Sequence, residues 1–78
     1  MHITVEYGSE SGDVDTPGRF WMGASVIEVQ EILDQWPGLD HRYFKVRGHD
    51  QAVYILRQDM RSSEWELIFF SQEQIPPN

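Results

Sequence analysis

Five side chains in this sequence have the types and spacing of a binding surface: Trp21, Tyr43, Lys45, Arg47 and Arg57. In an extended segment alternate residues point to opposite faces, so Arg42–Arg47 sets Tyr43, Lys45 and Arg47 on one face and Phe44 and Val46 on the other. With Arg57 beside them on a neighbouring strand, cations and an aromatic ring would share one patch. Such a patch can bind single-stranded nucleic acid, the cations meeting phosphates and the rings stacking on bases. It also suits an acidic protein. The plainer reading is a solvated face whose long stems cover apolar surface while their charged heads stay wet.

Catalytic and metal chemistry find little support. Asp13-x-Asp15-x-Pro17-Gly18 resembles the start of a calcium loop, which needs oxygen ligands at alternating positions and a carboxylate at the twelfth. Pro17 occupies the fifth position and Ala24 the twelfth, so a solvated acidic loop is the expectation. His2, His41 and His49 have no metal-site spacing, and no cysteine is present to complete one. His49-Asp50 reads as turn chemistry, since Asp commonly bonds nearby backbone there. Ser25, Ser62, Ser63 and Ser71 lack an activating context, and Gly8, Gly12, Gly18 and Gly23 form no phosphate loop. We expect no enzyme, no cofactor and no metal.

Charge separates the partner classes further. The 78 residues carry a net charge of −7, and all of it lies in the first 40. There, eight acids face Arg19 alone; from residue 41 onward five acids meet five bases. An overall negative field opposes a phosphate backbone. Another protein or a second copy of the chain therefore ranks above nucleic acid as the expected partner. No apolar run reaches the roughly 18 residues of a membrane helix. The first residues lack the basic start and apolar stretch of a signal peptide. These features predict a soluble, cytoplasmic protein.

The elements that must position the patch are read from periodicity. Ile3, Val5 and Tyr7 alternate with Thr4 and Glu6, the period of a half-buried strand, and residues 8–18 read as an acidic loop. Arg19–Trp36 has two readings. Ser25-x-x-Glu28 followed by Val26, Val29, Leu33 and Trp36 fits a capped helix stopped by Pro37-Gly38. A hairpin turning at Gly23-Ala24 fits as well, with Phe20 and Met22 on one face and Trp21 opposite. It continues as a long bent strand with a bulge at Ile32-Leu33, and stiff β-branched Val26, Ile27 and Val29 favour it. Beyond Asp40, Arg42–Arg47, Ala52–Gln58 and Glu64–Phe70 read as three strands of an antiparallel meander. Apolar residues on both faces of Val53–Leu56 predict a strand covered on both sides. Strict alternation places Trp65, Leu67 and Phe69 together, away from Ile68 and Phe70.

Phe20, Gly23, Val29, Ile32-Leu33-Asp34 and Trp36, then Tyr43-Phe44-Lys45-Val46, Tyr54-Ile55-Leu56-Arg57 and Trp65-Glu66-Leu67, resemble an uncharacterised family of small bacterial cytoplasmic proteins over residues 17–70. The resemblance implies a bacterial source and the hairpin over Arg19–Val29, and it carries no functional residue. The resulting expectation is a single all-β domain over residues 1–71 with a flexible tail over 72–78. Its form is a small antiparallel meander sheet or SH3-like barrel of five to six strands; the alternative is α+β, with helix 25–36 on the meander. The expected function is a small protein-interaction or accessory module, with a nucleic-acid-binding module as the alternative.

Overall fold

The computed structural model describes residues 1–8 and 16–71. The acidic segment 9–15 and the tail 72–78 lie outside the described residues, and with them the calcium-loop and flexible-tail readings. Six strands follow one another along the chain: β1 (His2–Tyr7), β2 (Pro17–Met22), β3 (Ser25–Pro37), β4 (His41–Gly48), β5 (Val53–Asp59) and β6 (Trp65–Ser71). Each pairs antiparallel with the next, and β6 returns to β1, closing a barrel in the order of the sequence. The all-β expectation holds. The helical alternative over 25–36 does not, because that segment is strand throughout. Among the described residues no helix is long and apolar enough to cross a membrane.

Why 25–36 extends follows from its partners. A helix would have buried one face at a spacing of 3.6 residues. As a strand it joins β2 through its first residues, from Met22 opposite Ser25 to Arg19 opposite Glu28. Its remainder joins β4, from Val29 opposite Gly48 to Pro37 opposite Arg42. The handover between neighbours coincides with an irregularity at Gln30, and a second one skips Leu33. The second is the bulge expected from the sequence; the first is additional. An extra residue bends a strand and increases its twist, which suits β3 where it leaves β2 for β4. The tight turn before it depends on Gly23, whose φ of 61° is disfavoured for a residue with a Cβ.

Inward residues form one core: Ile3, Phe20, Ile27, Phe44, Val46, Ala52, Tyr54, Leu56 and Trp65. Phe20 meets Tyr54 edge-on at 5.0 Å, and Phe44 leans on Trp65 at 5.7 Å. Large rings suit so small a domain, each burying about 150–250 Å². The buried polar residue is Gln58, at the end of the barrel nearest Tyr7. It accepts a hydrogen bond from Arg42 Nε (2.8 Å) and donates to the Tyr7 hydroxyl (2.9 Å) and the Ser63 carbonyl (3.2 Å). At the opposite end Asp50 accepts from the Tyr54 hydroxyl (2.5 Å) and the Ala52 amide (3.1 Å), the turn chemistry expected of it.

Three expectations are corrected. The strand β2 begins at Pro17, so the loop ends sooner than residue 18. Among the described residues no second layer covers the outer face of β5: Tyr54 and Leu56 are buried, whereas Val53 and Ile55 are half-exposed on the barrel's outside. Alternation in β6 breaks at Ile68, because Leu56 faces Leu67 while Ile55 faces Phe69. That extra residue turns Phe69 outward and brings Phe70 to within 5.0 Å of Tyr54, reversing the faces that strict alternation assigns.

Closure is asymmetric. The β1–β6 seam consists of Ile3 opposite Trp65 and His2 opposite Glu66. It is extended by the Leu67 amide donating to the Met1 carbonyl at 2.7 Å.

Candidate functional site

The outer face of β3–β6 is a set of cross-strand rows, since residues opposite one another on neighbouring strands share a face. One row runs Trp36, Tyr43, Arg57, Glu66 and His2, each opposite the next. A second runs Asp34, Lys45, Ile55 and Phe69, and a third holds Glu31, Arg47, Val53 and Ser71. The meander thus brings Tyr43, Lys45, Arg47 and Arg57 together as expected. Trp21 stands apart, half-buried on β2 between Thr4 and Val26.

Contacts along these rows decide what the face offers. The Trp36 and Tyr43 rings stack at 5.4 Å with planes 3° apart. Arg57 donates to Glu66, and this bond, then one with Tyr43, pushes the guanidinium's pKa up while holding Glu66 below the ordinary carboxylate range. Arg57 Nε is covered from solvent and has no hydrogen-bond partner. Arg47 is paired with Glu31. Lys45 alone of the three cations makes no ion pair among the described residues, although Asp34 lies opposite it. Three bases therefore sit among three acids, and the face is neutral. Between the charges lie exposed apolar surfaces, Phe69 at 49% and Trp36 at 37% of full exposure.

Sequence reasoning did not find Glu31, Asp34 and Glu66 as partners, nor Phe69 as a surface residue. The acids needed the strand register, and Phe69 needed the bulge at Ile68.

A second feature lies on the opposite side of β3. From Glu28 onward β3 leaves β2, while Pro17 stays opposite Tyr7 on β1. A cleft of about 490 Å³ opens in the wall, lined among others by Tyr7, Pro17, Arg19, Glu28, Gln30 and Ile32. Across its rim Arg19 bridges Glu6 (3.4 Å) and Glu28 (3.5 Å). Gly18 permits the tight β1–β2 approach at the cleft: a Cβ there would lie 2.7 Å from Gly8 Cα. Charge divides the barrel in two. Strands β1–β3 hold Glu6, Glu28, Glu31 and Asp34 against Arg19, a net of −3. Strands β4–β6 hold Arg42, Lys45, Arg47 and Arg57 against Asp59 and Glu66, a net of +2.

Among the described residues no three His, Asp or Glu side chains gather as metal ligands. His49 serves the backbone: its amide donates to the Glu28 carbonyl (2.8 Å), and its Nδ1 accepts from the Glu28 amide (3.1 Å). The histidine thereby ties the β4–β5 turn to β3. Compared with known proteins, the chain matches no family model, no curated protein and no solved structure.

Proposed function

We propose that this protein is a non-catalytic interaction module that contacts a protein partner through the outer face of β3–β6. One observation carries the reading. On that face Trp36, Tyr43 and Phe69 are presented among charges that already neutralise one another within the chain. Trp, Tyr and Arg are the residues that most often anchor protein interfaces, at the centre of a patch with a polar rim. A neutral face gives a phosphate backbone little to hold, because binding to nucleic acid depends on releasing counterions from unpaired cations. Arg47 and Arg57 are engaged by carboxylates, which among the described residues leaves Lys45 as the free cation of that face. The bacterial, cytoplasmic setting implied by the sequence resemblance is part of this proposal.

Affinity capture from a bacterial lysate tests it, with and without nuclease, using the wild type and a Trp36→Ala/Phe69→Ser variant. Both positions are surface-exposed, so the variant is expected to keep its fold, checked by circular dichroism. A protein retained by the wild type after nuclease treatment and lost by the variant supports the reading. Capture that disappears with nuclease, or that the variant retains in full, refutes it.

A further inference from the structure

We propose that the cleft between β2 and β3 receives an extended, basic segment of a protein partner, which adds as a strand to the free edge of β3 at Gln30–Ile32. This goes beyond the outer-face reading: the cleft lies on the other edge of β3, and its occupant is specified by chemistry.

Backbone pairing supplies the first argument. Beyond Glu28, no strand among the described residues pairs with the edge of β3 that faces away from β4. Unpaired strand edges are templates for another chain, and proteins usually blunt them with charges, bulges or proline. Farther along β3 that protection is visible. The Gln35 amide donates to the Asp34 carboxylate at 2.8 Å, and the strand ends at Pro37. Gln30–Ile32 carries the irregularity at Gln30 and the charge of Glu31, but among the described residues no side chain caps its backbone amides, and it borders a cleft of about 490 Å³. On the far wall the pairing of β2 with β3 ends at Arg19 opposite Glu28, and Pro17, nearer the end of β2, has no N–H to donate.

Charge selects the occupant. Arg19 is shared between Glu6 and Glu28, so that cross-strand trio has a net charge of −1. Glu31 adds a carboxylate to the lining, with Arg47 as its partner. The half of the barrel that holds the cleft is the half with net charge −3. A lysine or arginine side chain entering from solvent gains from this field, and a phosphate is repelled. Tyr7, Pro17 and Ile32 supply apolar wall beside Glu6, Glu28 and Glu31, so an added strand, whose side chains alternate, meets both apolar and acidic surroundings. The fitting segment therefore alternates basic and apolar residues.

The test uses three fluorescein-labelled ten-residue peptides with the whole chain, read by fluorescence anisotropy. One alternates Lys and Val, one alternates Glu and Val, and the third is the Lys/Val peptide N-methylated at every second backbone nitrogen. The Lys/Val peptide is expected to bind, and to bind more weakly as salt shortens the screening length from about 10 Å at 0.1 M to about 3 Å at 1 M. N-methylation leaves charge and side chains alone but removes strand donors, and should weaken binding by about tenfold or more. A Glu6→Gln/Glu28→Gln variant, checked for fold by circular dichroism, should lose several-fold in affinity. Amide chemical shifts should move at Tyr7, Arg19 and Gln30–Ile32. The proposal is overturned if the Lys/Val peptide does not bind, if N-methylation leaves its affinity unchanged, or if the Glu/Val peptide binds equally well. Shifts confined to Trp36, Tyr43 and Phe69 would also overturn it while supporting the outer-face reading, so the two proposals fail separately.

Discussion

Gln58→Leu isolates the contribution of the buried polar network. Gln58 is 5% exposed and makes three hydrogen bonds inside one end of the barrel, with Arg42, Tyr7 and Ser63. Leucine is similar in size, so the main change is polar rather than steric. A neutral hydrogen bond contributes about 1 kcal/mol net, and one involving a charged group such as Arg42 about 1.5–3 kcal/mol. The three together amount to about 3–5 kcal/mol. Burying leucine in place of the amide returns about 1.5–3 kcal/mol, and the half-exposed Tyr7 hydroxyl can turn to water. The net expectation is a loss of about 2 kcal/mol, against a total stability of about 4–12 kcal/mol for a chain of this length. Urea unfolding should show a lower midpoint at unchanged slope, and Tm should fall by about 8–16 °C. Tyr7→Phe removes one bond of the three and should cost about 1 kcal/mol or less. The double variant should cost less than the sum of the singles, because both remove the same Tyr7–Gln58 bond. If Gln58→Leu is as stable as the wild type, or if the two substitutions add without coupling, the network is not what holds that end of the barrel.

Three other expectations follow from the turns and the core. Burial pushes the Asp50 carboxyl up, but the Tyr54 hydroxyl and the Ala52 amide outweigh it and hold the group below its ordinary value. Its contribution to stability is therefore present above about pH 4 and lost as pH falls through the lowered folded value. Burial and the same bond push the Tyr54 phenol up, so its contribution is lost as pH rises above about 10. Tyr54→Phe should flatten both limbs of a plot of unfolding free energy against pH; a plot unchanged at both ends would refute the coupling. Gly48→Ala should cost about 1–3 kcal/mol in urea unfolding, since its Cβ would meet Ile27 at 2.6 Å and Asp50 at 2.7 Å. Gln51 holds φ at 71° in the β4–β5 turn, where glycine is at ease. Gln51→Gly should leave the thermal midpoint unchanged or raise it by a few degrees, and a clear fall would show that its bond to Gln30 outweighs the backbone strain.

Much of the architecture was legible along the chain because side-chain alternation is a local property. Phe44 and Val46 against Tyr43, Lys45 and Arg47 could be sorted by counting alone, and the hairpin loops announced themselves in Gly48–Gln51 and Asp59–Ser63. The stretch 25–36 could not be resolved that way. Val26, Val29, Leu33 and Trp36 satisfy a helix as readily as a strand, and the choice came from what lay on either side. With β2 beside its first residues and β4 beside the remainder, the stretch finds a strand partner along its whole length.

What the sequence by itself determined was the strand periodicity, the Phe, Tyr and Trp composition of the core, and a net charge confined to the first 40 residues. Tertiary structure decided which charges meet. Glu31 with Arg47 and Glu66 with Arg57 are 16 and 9 positions apart, and the register between strands turned an expected basic patch into a neutral face. It also decided where pairing stops. One extra residue at Ile68 turned Phe69 to solvent, and the irregularity at Gln30 parted β3 from β2 to open the cleft. Alternation is local, repeating every two residues, but a bulge exists only relative to the strand beside it. Periodicity and the bulge at Ile32-Leu33 could therefore be read along the chain, while the irregularities at Gln30 and Ile68 and the cleft had to await its neighbours.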